Sequence, residues 1–167
     1  NYGPMAEEGE EDDDLINASG QFLQPIAGMS FFHSADAFAM IRGGHIDVTV
    51  LGALQVSERG DLSNWMLPSR GIGNVGGAMD LAAGAKRVIV AMEHTGRNGD
   101  PKIVSECTFP LTGPRCVSLI VTDIAVISVE KEGLVLRETA PGWEPREIQN
   151  ETEPKLILAD DIKEIAL

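Results

Sequence analysis

Residues 118–129 read SLIVTDIAVISV, a run dominated by β-branched and apolar residues in which Asp123 is the only charge. With no polar residue at every second position, it reads as strand buried on both faces, divided near Asp123. Two other stretches, 46–54 (IDVTVLGAL) and 87–92 (RVIVAM), are of the same kind. Helical patterns alternate with them. Ser34 caps a segment through Ile41 that Gly43 and Gly44 stop, 78–85 follows Gly76-Gly77, and 144–150 follows Pro141-Gly142. Strand, helix and strand in succession predict an α/β fold, a mainly parallel open sheet flanked by helices. Segments 126–129 and 134–137, joined by Glu130-Lys131-Glu132-Gly133, predict an antiparallel hairpin that finishes the sheet, with Gly133 at positive φ. The tail 155–167 mixes apolar and charged residues without a decisive period and takes no assignment.

At 167 residues and 43% apolar content, the chain has the size of one ordinary domain, residues 1–167. Acids outnumber bases 26 to 13, a net charge of −13, which argues against nucleic acid or an anionic membrane as main partner. A local basic site for one small anion is compatible with that charge. Seven of the acids, Glu7, Glu8, Glu10, Glu11 and Asp12 to Asp14, fall in residues 1–14, an acidic loop or arm without the ligand spacing of a calcium loop. Cys107 and Cys116 are too few for a paired zinc site and are expected to be reduced, in the cytoplasm. No apolar stretch reaches the ~20 residues of a membrane span. Because the chain begins at Asn1 rather than Met, it is expected to be a processed chain or a fragment.

Gly71, Gly73 and Gly76 satisfy Gly-x-Gly-x-x-Gly, and Glu93 stands where a dinucleotide fold would place its ribose-binding acid. The approach Asn64-Trp65-Met66-Leu67-Pro68-Ser69-Arg70 is polar and broken by proline, unlike the buried strand that fingerprint requires. An active-site loop whose amides face an anion explains the same glycines, and so does a merely flexible loop. His33, His45 and His94 have no metal-ligand spacing, and no Gly-x-Ser-x-Gly elbow nominates a serine nucleophile. Gln55 and Asn64 lie just beyond one buried strand, and Glu93 and His94 just beyond the next. Ligand crevices of open α/β sheets form at the carboxyl ends of strands, so these four are expected to line one. Taken singly, each reads equally well as a turn-capping amide or a salt-bridged acid.

Asp14-Leu15-Ile16-Asn17-Ala18, Ser34-Ala35-Asp36, residues 38–47 and 51–65, Gly76-Gly77-Ala78-Met79-Asp80-Leu81, Met92-Glu93-His94-Thr95 and Pro110-Leu111-Thr112-Gly113 form a series in chain order. Together these segments resemble the B subunit of class I 3-oxoacid CoA-transferases. The resemblance covers about residues 3–150 in the family's order. It implies the CoA-transferase fold of NagB/RpiA-like type, a partner A subunit in a hetero-oligomer, and transfer of CoA from an acyl-CoA such as succinyl-CoA to a 3-oxo or other short carboxylic acid. CoA would serve as substrate and covalent intermediate, with no permanently bound cofactor. A glutamate would attack the thioester, and the amides around Gly76, Gly77 and Ala78 would steady the oxyanion.

Two departures matter. The family's glutamate belongs to a Ser-Glu-Asn-Gly segment shortly before the Gly-Pro matched here by Gly3-Pro4, and no such segment occurs in these 167 residues. No catalytic residue is therefore nominated, the domain is expected to be N-terminally incomplete, and neither Glu58 nor Glu93 is promoted to the role. A non-catalytic acyl-CoA-binding or assembly module of the same fold is the alternative. In addition, where many relatives carry Gly-Lys-Met-Val-Lys-Gly-Met, this chain has Ser69-Arg70-Gly71-Ile72-Gly73-Asn74-Val75. One base is kept as Arg70, expected to meet a phosphate or carboxylate, and the other is replaced by Gly73.

Overall fold

A computed structural model describes residues 3–17, 19–71, 73–74 and 76–166. The chain forms two compact units, residues 1–37 and 38–167. In the first, Met5 pairs with Leu23 and Ile16 with Phe22 in isolated antiparallel bridges. The acidic run lies exposed on turns between them, where Asp12 Oδ1 accepts the N–H of Asp14 at 2.9 Å.

Among the described residues the helices are α1 (Ser34–Arg42), α2 (Ala78–Gly84) and α3 (Pro145–Asn150). The strands are β1 (Val48–Leu51), β2 (Gln55–Ser57), β3 (Leu62–Ser63), β4 (Arg87–Ala91), β5 (Ile103–Val104), β6 (Val117–Val121), β7 (Ala125–Glu130), β8 (Gly133–Thr139) and β9 (Ile157–Glu164). Six of them form one sheet in the order β1-β4-β6-β7-β8-β9, and β3-β2-β5 form a second. In the larger sheet β1, β4 and β6 run parallel, β7 and β8 alternate direction, and β9 runs parallel to β8. The α/β fold with a mainly parallel sheet is the one expected.

Three expectations are corrected. Residues 46–54 do not make one strand: β1 stops at Leu51, and β2 starts a different sheet at Gln55. The break occurs because the backbone groups of 52–54 are claimed from the side, Gly52 O by Asn64 Nδ2 at 3.1 Å and Leu54 N–H by Ser63 O at 2.8 Å. The hairpin is present as β7-β8, with Gly133 at φ 135°, but it does not end the sheet, because β9 adds beyond it. This tail has no clear period because an edge strand with mostly exposed side chains needs no apolar alternation. Finally, β4 runs exposed, buried, half-buried, buried, exposed, so it is covered on one face rather than two.

The covered face carries the core of the second unit. Val90, Ile120, Ile127 and Leu136 of the large sheet are fully buried, in one cluster with Val56, Leu62 and Ile103 of the small sheet and Ile148 of α3. Burying each such side chain contributes roughly 1.5–3 kcal/mol. Pro145 suits the first turn of α3, where its missing N–H costs nothing, and the Glu147 carboxylate accepts the Glu144 N–H at 2.8 Å. That core fixes the carboxyl ends of β1 and β4, and the connections leaving those ends form the candidate site.

Candidate active site

Beyond the carboxyl end of β4 lies a cavity of about 590 Å³. Gln55, Arg70 and Glu93, distant in sequence, all line it, together with Arg97, Asp100 and Lys102 and the apolar side chains Leu54, Leu67, Pro101 and Phe109. Gln55 is buried and braces the wall: its Oε1 accepts the N–H groups of Thr108 at 2.9 Å and Phe109 at 3.1 Å. Arg70 closes a 3₁₀ turn over Pro68–Arg70 and is exposed. The loop after Glu93 is drawn tight by a Thr95–Pro101 bridge and by Gly96 N–H donating to Asp100 O at 2.8 Å. It carries Arg97, Asp100 and Lys102 as a unit.

Three cations and two carboxylates therefore share this cavity, and among the described residues none of the five takes part in an ion pair. Arg97, Asp100 and Glu93 are exposed and Lys102 is half-buried. Burial holds the Lys102 ammonium below the usual lysine pKa, with the negative charges of Glu93 and then Asp123 acting the other way. Such a group gains from an incoming anion. The three residues that sequence reasoning missed, Arg97, Asp100 and Lys102, carry one faint signal: two bases of a strongly acidic chain fall within nine residues of Glu93.

The other candidates have different surroundings. His94 is 1% exposed and does not line the cavity. Its Nδ1 lies 3.0 Å from Thr122 Oγ1 and its Nε2 2.9 Å from Thr152 Oγ1. Thr152 gives its only hydroxyl proton to Ile148 O at 2.7 Å, so it accepts from Nε2–H; the neutral ring then leaves Nδ1 as acceptor for the Thr122 hydroxyl at 3.0 Å, closer than that hydroxyl's other acceptor, Ala125 O, at 3.2 Å. Burial pushes the His94 pKa down to about 4, with Asp123 opposing the shift and Lys102 adding to it. This histidine is a neutral clasp between the β6-β7 turn and the end of α3. Asn64 is also committed to structure, donating from Nδ2 to Gly52 O at 3.1 Å and accepting the Thr112 hydroxyl at Oδ1 at 2.6 Å.

Gly76, Gly77 and Ala78 sit at the start of α2 and do not line this cavity. The glycine at 73 has a steric cause: a Cβ there would come 2.6 Å from Trp65 O and 2.6 Å from its ring. In this loop conformation no larger residue fits, so the missing base cannot simply be restored. Ile72 and Val75 of the same loop lie outside the described residues. Since a 3₁₀ turn rather than a strand leads into Gly71, the dinucleotide arrangement is ruled out for these glycines. Both cysteines are half-buried free thiols, and burial raises Cys107 and pushes Cys116 up to about 11, so neither is an activated nucleophile.

Residues 1–150 match the family model of coenzyme A transferase. The chain belongs to the coenzyme A transferase family. It is 53% identical over 148 residues to the B subunit of 3-oxoadipate CoA-transferase from Pseudomonas putida KT2440, a match spanning 88% of this chain and 70% of that one. To the B subunit of a probable succinyl-CoA:3-ketoacid coenzyme A transferase from Bacillus subtilis it is 44% identical over 160 residues, 96% of this chain and 74% of that one. Its fold is similar to that of an acyl-CoA transferase from Escherichia coli O157:H7, with TM-score 0.75 and 19% identity over 91% of this chain. The match spans about a third of the E. coli chain, 33% of its length. The decarboxylase AibA/AibB shares the fold too, at TM-score 0.62 and 22% identity, with 80% of this chain matched to 56% of that one. Fold alone therefore does not fix chemistry. Among the described residues no helix is long and apolar enough to cross a membrane.

Proposed function

We propose that this chain works as the B subunit of a CoA-transferase, with an A subunit, moving CoA from an acyl-CoA such as succinyl-CoA to a 3-oxo or other short carboxylic acid. One observation carries the reading: Gln55, Arg70 and Glu93 converge on a single cavity whose three cations have no ion-pair partner among the described residues. A CoA ester and a carboxylic acid are both anions, and this is the end of the sheet where such folds bind ligands. The relatives from Pseudomonas putida and Bacillus subtilis, both B subunits of CoA-transferases, support the same assignment.

The chemistry is covalent. A glutamate of a Ser-Glu-Asn-Gly segment, a motif these 167 residues lack, attacks the thioester carbonyl carbon. The C–S bond breaks, CoA leaves as thiolate, and a mixed anhydride remains. The thiolate then attacks the glutamyl carbonyl, releasing the first acid as carboxylate and leaving a glutamyl-CoA thioester. The acceptor carboxylate reverses both steps, so thioester energy is conserved throughout. Each addition develops an oxyanion; the resemblance assigns its donors to the amides at Gly76, Gly77 and Ala78, which stand at the start of α2 outside the lining of this cavity. Gln55 keeps the cavity wall in place, and Arg70, exposed at the end of its 3₁₀ turn, offers its guanidinium to a phosphate or carboxylate.

The test is CoA transfer from succinyl-CoA to a 3-oxo acid by the full protein with its A subunit. Arg70→Ala is expected to raise a Michaelis constant, for the CoA ester or the acid, by roughly tenfold, as loss of one charge-assisted contact does. Unchanged constants for both substrates would remove Arg70 from the site. Absence of transfer to any carboxylic acid would overturn the proposed reaction.

A further inference from the structure

Of the cations lining the cavity, Lys102 differs from the others. Arg70 and Arg97 are exposed, whereas Lys102 is half-buried, without an ion-pair partner among the described residues. Its backbone is fixed at both ends of the residue: its N–H donates to His94 O at 3.3 Å and its carbonyl accepts the Val56 N–H at 2.9 Å. It is thus anchored to the β2-β5 pairing and to the buried His94 segment, not to a free loop. Gln55 and Phe109 line the same cavity, and Leu54 and Leu67 add apolar surface for a short carbon chain.

A carboxylate on a short carbon chain gains most from a cation that is held in place and partly screened from water, as Lys102 is, rather than from a solvated one. One carboxylate carries a single charge and matches one ammonium already moderated by the fields of Glu93 and Asp123. We infer that Lys102 is a specificity-determining residue that receives the non-reacting carboxylate of a dicarboxylic substrate, in preference to the exposed Arg70 and Arg97. This rests on the CoA-transfer reading. It makes the chain selective for acyl groups and acceptors that keep a second carboxylate away from the reacting one.

The experiment compares succinate with butyrate, acids of equal carbon number that differ by one carboxylate, using the full protein with its A subunit. In Lys102→Met the succinate-to-butyrate ratio of kcat/KM is expected to fall at least about tenfold, and in Lys102→Arg to fall much less. A ratio unchanged in Lys102→Met, with both acids or the CoA ester equally affected, overturns the assignment. Equilibrium titration of each acid without CoA keeps the question separate from catalysis. If no transfer occurs but the wild-type protein prefers succinate and Lys102→Met does not, the reaction is wrong and the Lys102 site stands. If the wild-type protein shows no preference for succinate, the Lys102 site is wrong whatever the reaction, and that arm needs no variant to fold.

Discussion

Acidification from pH 7 to pH 4 is expected to remove about 3 kcal/mol of folding stability through His94 alone. Its folded pKa is about 4 against an ordinary 6.5, because the ring is buried. Between those two values the unfolded chain binds the proton and the folded one does not, so stability falls as pH falls through 6.5 toward 4 and levels below. The size follows from about 1.4 kcal/mol for each pKa unit of difference. Many carboxylates titrate in the same range, so the measurement is a comparison. Urea unfolding of wild type and His94→Gln at pH 7 and pH 4 should show the wild type losing about 3 kcal/mol more than the variant. Parallel losses would mean that the ring is not held neutral between Thr122 and Thr152.

Leu136 and Leu158 face each other across the β8-β9 register, yet their environments are opposite. Leu136 is fully buried in the main cluster, whereas Leu158 is 55% exposed on the edge strand. Leu136→Ala is expected to cost about 2–5 kcal/mol, the lost transfer energy plus a cavity that a two-sheet core cannot collapse around. Leu158→Ala is expected to cost within about 0.5 kcal/mol. Chemical denaturation of the two variants separates them by several-fold in stability loss. Similar costs would place Leu158 in a buried interface and contradict an exposed β9.

Strand positions are legible where a strand is buried on its inner face, as in 87–92 and 118–129, because β-branched runs have few other uses. The break after Leu51 is not legible. It depends on Asn64 and Ser63 reaching back to Gly52 and Leu54, contacts that no local pattern announces. The same reasoning explains the site. Gln55 and Glu93 follow from a rule about strand ends and Arg70 from the resemblance to a loop of CoA-transferase B subunits, and the three do converge. Asn64 and His94 satisfy that rule equally well, yet their side chains are taken up by Gly52, Thr112, Thr122 and Thr152, partners 12 to 58 residues away. Lys102 is faint in the sequence for the converse reason: only the fold shows that a base preceding β5 lines the same cavity as Glu93.

The central proposal is covalent CoA transfer by a complex in which this chain serves as the B subunit. The most direct measurement is borohydride trapping of the full protein with its A subunit after exposure to succinyl-CoA, followed by peptide mass analysis. A glutamate of a Ser-Glu-Asn-Gly peptide reduced to the alcohol, only after exposure to the acyl-CoA, is the predicted result. A preparation that transfers CoA with no reduced glutamate, or with reduction at Glu58 or Glu93 instead, would contradict it.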